Sequence, residues 1–167
     1  MNQIQSHFER QISTAQSSDE IWKALEALSL ALGGHRLFTV MIVDMTAELA
    51  RRVYSDHPKE YPVTGIKPIH RDAWFDIVHG EKRSFVANTI ADIAKVFPDF
   101  ELIKSLGCGS VINLPVVLHN ELVATINLLH IENYYTPECA QLIESRLSLP
   151  AKLCYALAMQ FDVAAYG

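Results

Sequence analysis

Among the groups in this 167-residue chain that could act as nucleophiles, bases or metal ligands are three thiols and seven imidazoles. Cys108, Cys139 and Cys154 are scattered, with no C-x-x-C pair, a pattern that favours reduced thiols over a disulfide framework or a zinc site. A thiol without a resolving partner cannot run a disulfide cycle. Cys108, between Gly107 and Gly109, reads first as a small buried residue and second as a nucleophile. His7, His35, His57, His70, His79, His119 and His130 lack the spacing of metal ligands on one helix or loop, so no metal is expected. His35 follows a helix end and His119 sits in a turn, and both are expected in solvent. No nucleophile–base–orienter set, phosphate loop or pair of carboxylates at useful spacing emerges, so the chain is read as a non-enzyme. Arg71 is the best side chain for a carboxylate or phosphate, with an exposed ion pair as its alternative.

Two amides stand out because of where they fall. Cys108 to Ile131 holds two apolar, β-branched runs around a polar break at His119-Asn120, the pattern of a β-hairpin. A two-residue turn there sets Leu118 opposite Glu121, Asn113 opposite Ile126 and Ile112 opposite Asn127. Both faces are apolar, so both are expected to be covered. Asn113 and Asn127 then need partners, either nearby backbone or a ligand. Pro115 has no N–H, which places its strand at an edge or a bulge.

Amphipathic spacing predicts a helix over residues 2–15 and another after the Ser17–Glu20 capping sequence, ended by Gly33-Gly34. Trp22 falls just off the second stripe and is expected to pack within the fold. Leu37–Asp44 and Glu48–Tyr54 read as a hairpin, and residues 55–69, with three prolines and a glycine, as an ordered loop. A short helix over Arg71–His79, a strand over Ser84–Ala87 and helices to Leu106 follow. Thr136-Pro137-Glu138 starts a long helix that Pro150 is expected to kink.

Composition narrows the function classes. The net charge of −5, without a basic cluster, excludes nucleic acid as the main partner. The N-terminus lacks the apolar core of a signal peptide, and no apolar run is long enough to span a bilayer. A cytoplasmic protein, with no membrane partner, is expected. Two terminal amphipathic segments are more than one small sheet can bury, which predicts a homodimer through the terminal helices.

This element order, together with a helix ending in Gly33-Gly34, the strand LFTVMIVD, Trp74 in a short helix and the segment GCGSVINLPVVLHNELVATINLLHIE, resembles a GAF domain. The likeness covers about residues 20–160 of one domain spanning 1–167, with residues 1–17 as a helical extension. It departs at Ala124, where the family usually has glycine, a change expected to shrink any cavity on that face. The resemblance implies an α+β, PAS-like fold: a central antiparallel sheet of five or six strands, terminal helices on one face, and a ligand pocket on the other, roofed by residues 55–107 and floored by the hairpin. Members bind small molecules and many dimerise, but fold likeness names no ligand and no cofactor.

On that reading Trp74, Phe97 and Phe100 would be aromatic walls of the pocket. Asn88, Asp92, Ser110 and Asn113 would fix polar groups. His70 and Arg71 would reach in from the roof, Cys108 would lie beside it, and the amides of Gly107–Ser110 could hold an anion. The loop Tyr61–Pro68, with Gly65 as its flexible point, could act as a lid. The leading expectation is a small-molecule-binding sensory module that signals through a partner protein. The alternatives are a dimerisation or scaffolding module with an empty pocket, and a cysteine-based enzyme like the family's free methionine sulfoxide reductases.

Overall fold

The structure, a computed structural model, describes residues 2–166, with side chains through Asp162. Helices α1 (Asn2–Thr14) and α2 (Ser18–Leu32) open the chain. The Ser17 side chain accepts from Glu20 N at 3.2 Å, and the Glu20 carboxylate reaches back to Gln16 N at 2.8 Å. At the other end of α2 the N–H groups of Gly33 and Gly34 both donate to Ser29 O. These are the caps the sequence signals require.

Six strands form one antiparallel sheet: β1 (Leu37–Asp44), β2 (Leu49–Ser55), β3 (Ile66–Pro68), β4 (Phe85–Ala87), β5 (Ser110–Leu118) and β6 (Glu121–His130), in the order β3-β2-β1-β6-β5-β4. Between β3 and β4 come α3 (Ala73–Phe75) and a π-turn at Asp76–Gly80; between β4 and β5 come α4 (Ile90–Ala94) and α5 (Phe100–Ser105). Helix α6 (Pro137–Tyr166) closes the chain and runs on through Pro150. Residues 66–68, read as loop from their prolines, are an edge strand instead, because β2 offers them its free edge.

The terminal helices cover one face of the sheet. Trp22, Ile21 and Leu25 of α2 meet Phe38, Ile112, Leu114, Ile126 and Leu128 of the strands and Ile143 and Leu147 of α6. Each fully buried large apolar side chain there contributes about 1.5–3 kcal/mol. A smaller core on the opposite face joins Ile93, Ile103, Cys108, Val111 and Leu129. Pro115 lies beyond the end of β4, which pairs with β5 only from Val111 to Asn113, so at Pro115 the strand is itself an edge of the sheet.

The hairpin turn is His119-Asn120, with both φ angles positive at 51° and 62°, and Leu118 stands opposite Glu121 as the two-residue turn requires. The expected pairing fails beyond that. A bulge shifts the register between Val116 and Val117, so Asn113 faces Asn127 and Ile112 faces Leu128. The extra residue in β6 reverses which of its side chains look at which layer. Ala124 therefore packs, wholly buried, among the helix-side residues and takes no space from the opposite face. A second bulge, between Val40 and Met41 in the β1–β2 pairing, turns Tyr54 toward the helices while Arg52, two residues earlier, stays on the other face.

Candidate functional site

The face of the sheet away from the terminal helices floors a cavity of about 390 Å³. Thr39, Met41, Ala50, Arg52, Asn113, Thr125 and Asn127 form the floor; Tyr61, Pro68 to His70, Trp74, Phe75 and Val96 to Asp99 form the walls and roof. The lining is mostly apolar, and its polar groups fall into two sets.

The first set is a chain of side-chain hydrogen bonds across three strands. Trp74 Nε1 donates to Asn113 Oδ1 at 2.9 Å, Asn113 Nδ2 to Asn127 Oδ1 at 2.7 Å, and Asn127 Nδ2 to Thr39 Oγ1 at 3.2 Å. Asn113, Asn127 and Thr39 are buried, and this chain supplies their partners.

The second set is charged. Arg52 is only 6% exposed. It donates from one terminal nitrogen to Pro62 O at 3.0 Å and lies over the Tyr61 ring, 4.9 Å from its centre. Tyr61 in turn donates its hydroxyl to Asp99 Oδ2 at 2.6 Å. Two buried atoms of this set have no protein partner, Arg52 Nε and Asp99 Oδ1. Burial pulls the Arg52 guanidinium below its usual value, and it pushes the Tyr61 phenol up, with Asp99 adding to the rise. The glycine at 65 lets the guanidinium pass, since a Cβ there would stand 2.6 Å from its terminal nitrogen. Gly65 is no loose hinge: its N–H donates to Pro62 O and its carbonyl accepts from Arg52 N.

The residues singled out in the sequence divide. Trp74, Phe97, Asn113 and His70 line the cavity, His70 as an exposed residue. Asn88 clamps the backbone of Tyr135 through both amide atoms, and Ser110 donates to Ile131 O. Asp92 is exposed and bonds Thr89 and Lys95, while Phe100 packs into the smaller core. Arg71 pairs with Glu48 at 2.6 Å on the surface. Cys108 lies in the smaller core outside the cavity lining, with burial pushing its thiol up to about 11. The amides of Gly107, Cys108 and Gly109 donate to Lys104, Ile103 and His130 carbonyls, which leaves no anion nest. Sequence reasoning missed Arg52, Tyr61, Asp99 and Thr39. Arg52 follows Arg51 in a strand that reads as polar and solvated, and the bulge beside it parts it from Tyr54, which turns to the helix side.

His35 corrects another expectation. Its side chain is 3% exposed, held between Glu26 and Asp56 on the helix side of the sheet. Those three are the only His, Cys, Asp and Glu side chains among the described residues grouped closely enough to hold a metal ion.

No family model matches the chain, and no curated protein matches it. Solved structures do. The GAF domain of an Acinetobacter phosphoenolpyruvate-protein phosphotransferase superposes with a TM-score of 0.70 at 7% identity, covering 95% of this chain and 93% of that one. The GAF domain of a two-component sensor histidine kinase from Bacillus halodurans gives 0.69 at 13% identity, over 92% and 99%. The fold is that of a GAF domain. A type II free methionine-R-sulfoxide reductase from Thermoplasma acidophilum shares it more distantly, at a TM-score of 0.59 and 13% identity over 83% of this chain and 94% of that one. Identities this low carry the GAF architecture and none of the chemistry. Among the described residues no helix is long and apolar enough to cross a membrane.

Proposed function

We propose that this GAF-fold chain is a sensory or regulatory module that binds a small molecule in the cavity beneath Trp74 and passes the signal to a partner protein. One observation carries the reading. A largely apolar cavity holds a buried guanidinium and a carboxylate, each with an atom that nothing in the protein satisfies. Burying a charged group beside a cavity is costly, and a ligand of opposite charge held against the guanidinium would offset that cost. The ligand class follows from the lining: an apolar body, with an anionic or acceptor group drawn to the Arg52 guanidinium and a donor to the Asp99 carboxylate. The asparagine chain is internally satisfied and serves as a rigid floor.

Output through a partner rests on analogy with the neighbours, one of which belongs to a sensor histidine kinase and another to a chemotaxis protein. A second copy of the chain fits α6, where Leu142, Leu149 and Leu153 are exposed by 42%, 75% and 42% along one side of the helix. That stripe keeps a dimerising role in view, and a filled pocket does not conflict with it. Against the cysteine-enzyme alternative, Cys108 is a buried, high-pKa thiol outside the cavity lining, and Cys139 and Cys154 lie on α6.

The test is native mass spectrometry of the freshly purified chain beside its Arg52→Met variant. The expected result is an adduct of small-molecule mass, one per chain, that is absent from the variant. A clean chain mass from the native protein, together with no binding from a library of small carboxylates and phosphates, would overturn the reading.

A further inference from the structure

Glu26, His35 and Asp56 come from three segments: the middle of α2, the link from α2 to β1, and the residue after β2. None of them lines the cavity. One ligand atom from each lies within 4.8 Å of the other two. His35 Nε2 stands 3.8 Å from Glu26 Oε1 and 3.7 Å from Asp56 Oδ2, beyond hydrogen-bond reach of both.

We infer that Glu26 Oε1, His35 Nε2 and Asp56 Oδ2 form a binding site for one divalent transition-metal ion, of the zinc or manganese kind.

Every other polar atom of the three side chains is held in place. Tyr54 donates its hydroxyl to Glu26 Oε2. Asp56 Oδ1 accepts from Phe38 N and pairs with His57 Nδ1, each at 2.8 Å. His35 Nδ1 meets Ser29 Oγ at 3.3 Å, and a metal on Nε2 puts the ring proton on Nδ1 to donate there. Metal ligands are oriented in this way by groups on their far atoms.

A buried ion triad with a protonated His35 is the competing account. Its contacts would close as the neighbouring His57–Asp56 pair does at 2.8 Å, whereas His35 Nε2, with 97% of its side chain shielded, stays at the longer ion-pair distances of 3.8 and 3.7 Å from the two carboxylates. Charge points the same way. A protonated His35 between two carboxylates leaves a net charge of about −1 in a half-buried place, whereas a divalent ion with neutral imidazole leaves none. Zinc bonds to nitrogen and oxygen run about 2.0–2.2 Å, which sets tetrahedral ligand atoms roughly 3.4 Å apart, so the two spacings to His35 Nε2, 3.8 and 3.7 Å, need to close by only a few tenths of an ångström, and the carboxylates close toward each other from within 4.8 Å. One imidazole and two carboxylates, with no thiolate, suit zinc, manganese or iron(II) over copper(I). Three protein ligands leave a coordination position for water.

The full chain, stripped with a chelator and dialysed, is titrated separately with Mn²⁺, Zn²⁺ and Co²⁺. Bound metal is counted by elemental analysis, and the Co²⁺ sample is read by its visible spectrum. The expected result is one ion per chain, a low-symmetry Co²⁺ absorption, and affinity weakened at least roughly 10- to 100-fold in His35→Gln and in Glu26→Gln, with His119→Gln unchanged. Glu26→Gln keeps an oxygen for Tyr54, so it stands in if His35→Gln fails to fold. Failure of all three ions to bind stoichiometrically would overturn the inference. So would binding that survives the folded variants, since the metal would then sit elsewhere, on surface histidines or thiols.

Discussion

Asn113 and Asn127 stand directly opposite each other on the central hairpin, and the Nδ2 of Asn113 donates to the Oδ1 of Asn127 at 2.7 Å. The bond exists because one extra residue in β6 puts both amides on the cavity face. It ties Trp74 in the roof to Thr39 in β1 through a single chain of donors and acceptors.

Removing both amides together should cost less than the two removals summed. Asn127→Leu leaves the Asn113 Nδ2 buried without its acceptor and is expected to destabilise the chain by about 1–3 kcal/mol. Adding Asn113→Leu removes that stranded donor, so the double variant should lose less than the sum of the two single losses. Urea denaturation of the four proteins measures the cycle. Additive losses would show that the amides act independently.

The same bulge explains what the sequence could and could not disclose. The capping residues Ser17 and Glu20, the Gly33-Gly34 stop, the β-branched run Leu37–Asp44 and the His119-Asn120 turn are local signals, and each stands where its pattern placed it. The pairing beyond the turn failed because a bulge is decided by how two strands twist together, and no residue near Val117 announces it. Arg52 was hidden for the same reason. Strict alternation puts it on one face with Tyr54, whereas the structure parts them. Glu26, His35 and Asp56 were invisible because their spacing in sequence obeys no helix or loop motif. Only the folded sheet brings an α2 side chain to the end of β2.

Gly65 tests the placement of the guanidinium. Gly65→Ala drives a methyl to within 2.6 Å of the Arg52 terminal nitrogen, so the side chain must leave its bond to Pro62 O. Loss of a charge-assisted hydrogen bond of this kind is expected to cost about 1.5–3 kcal/mol. In an Arg52→Met background the same substitution should cost little. Equal costs in both backgrounds would mean that Gly65 matters for its backbone alone.

Alkaline pH should weaken the fold through its buried thiols. Burial raises Cys108 from 9.0 to about 11 and Cys154 from 9.0 to about 12. In both, the folded chain keeps the proton that the unfolded chain gives up first. Stability is then undiminished below about pH 9 and falls as the pH climbs toward 11 and 12. Thermal melts across that range should show the decline, and Cys108→Ala should lessen it. Cys139, only partly buried, should be alkylated before the other two at neutral pH. Rapid native alkylation of Cys108 would contradict its place in the smaller core.

The exposed stripe of α6 makes the dimer testable without touching the fold. Leu142, Leu149 and Leu153 lie seven and four residues apart, the spacing of a coiled-coil seam, and Leu149 is 75% exposed. A charge at the centre of that stripe is repelled by its own copy across a two-fold interface. Leu149→Glu should therefore convert a dimer to a monomer in sedimentation equilibrium while shifting the monomer's own stability by no more than about 0.5 kcal/mol, as substitutions at exposed positions do. Wild-type chain that sediments as a monomer at every concentration would remove the dimer from the account. A dimer that withstands Leu149→Glu would move its interface off α6, with the helix α1 as the next surface to test.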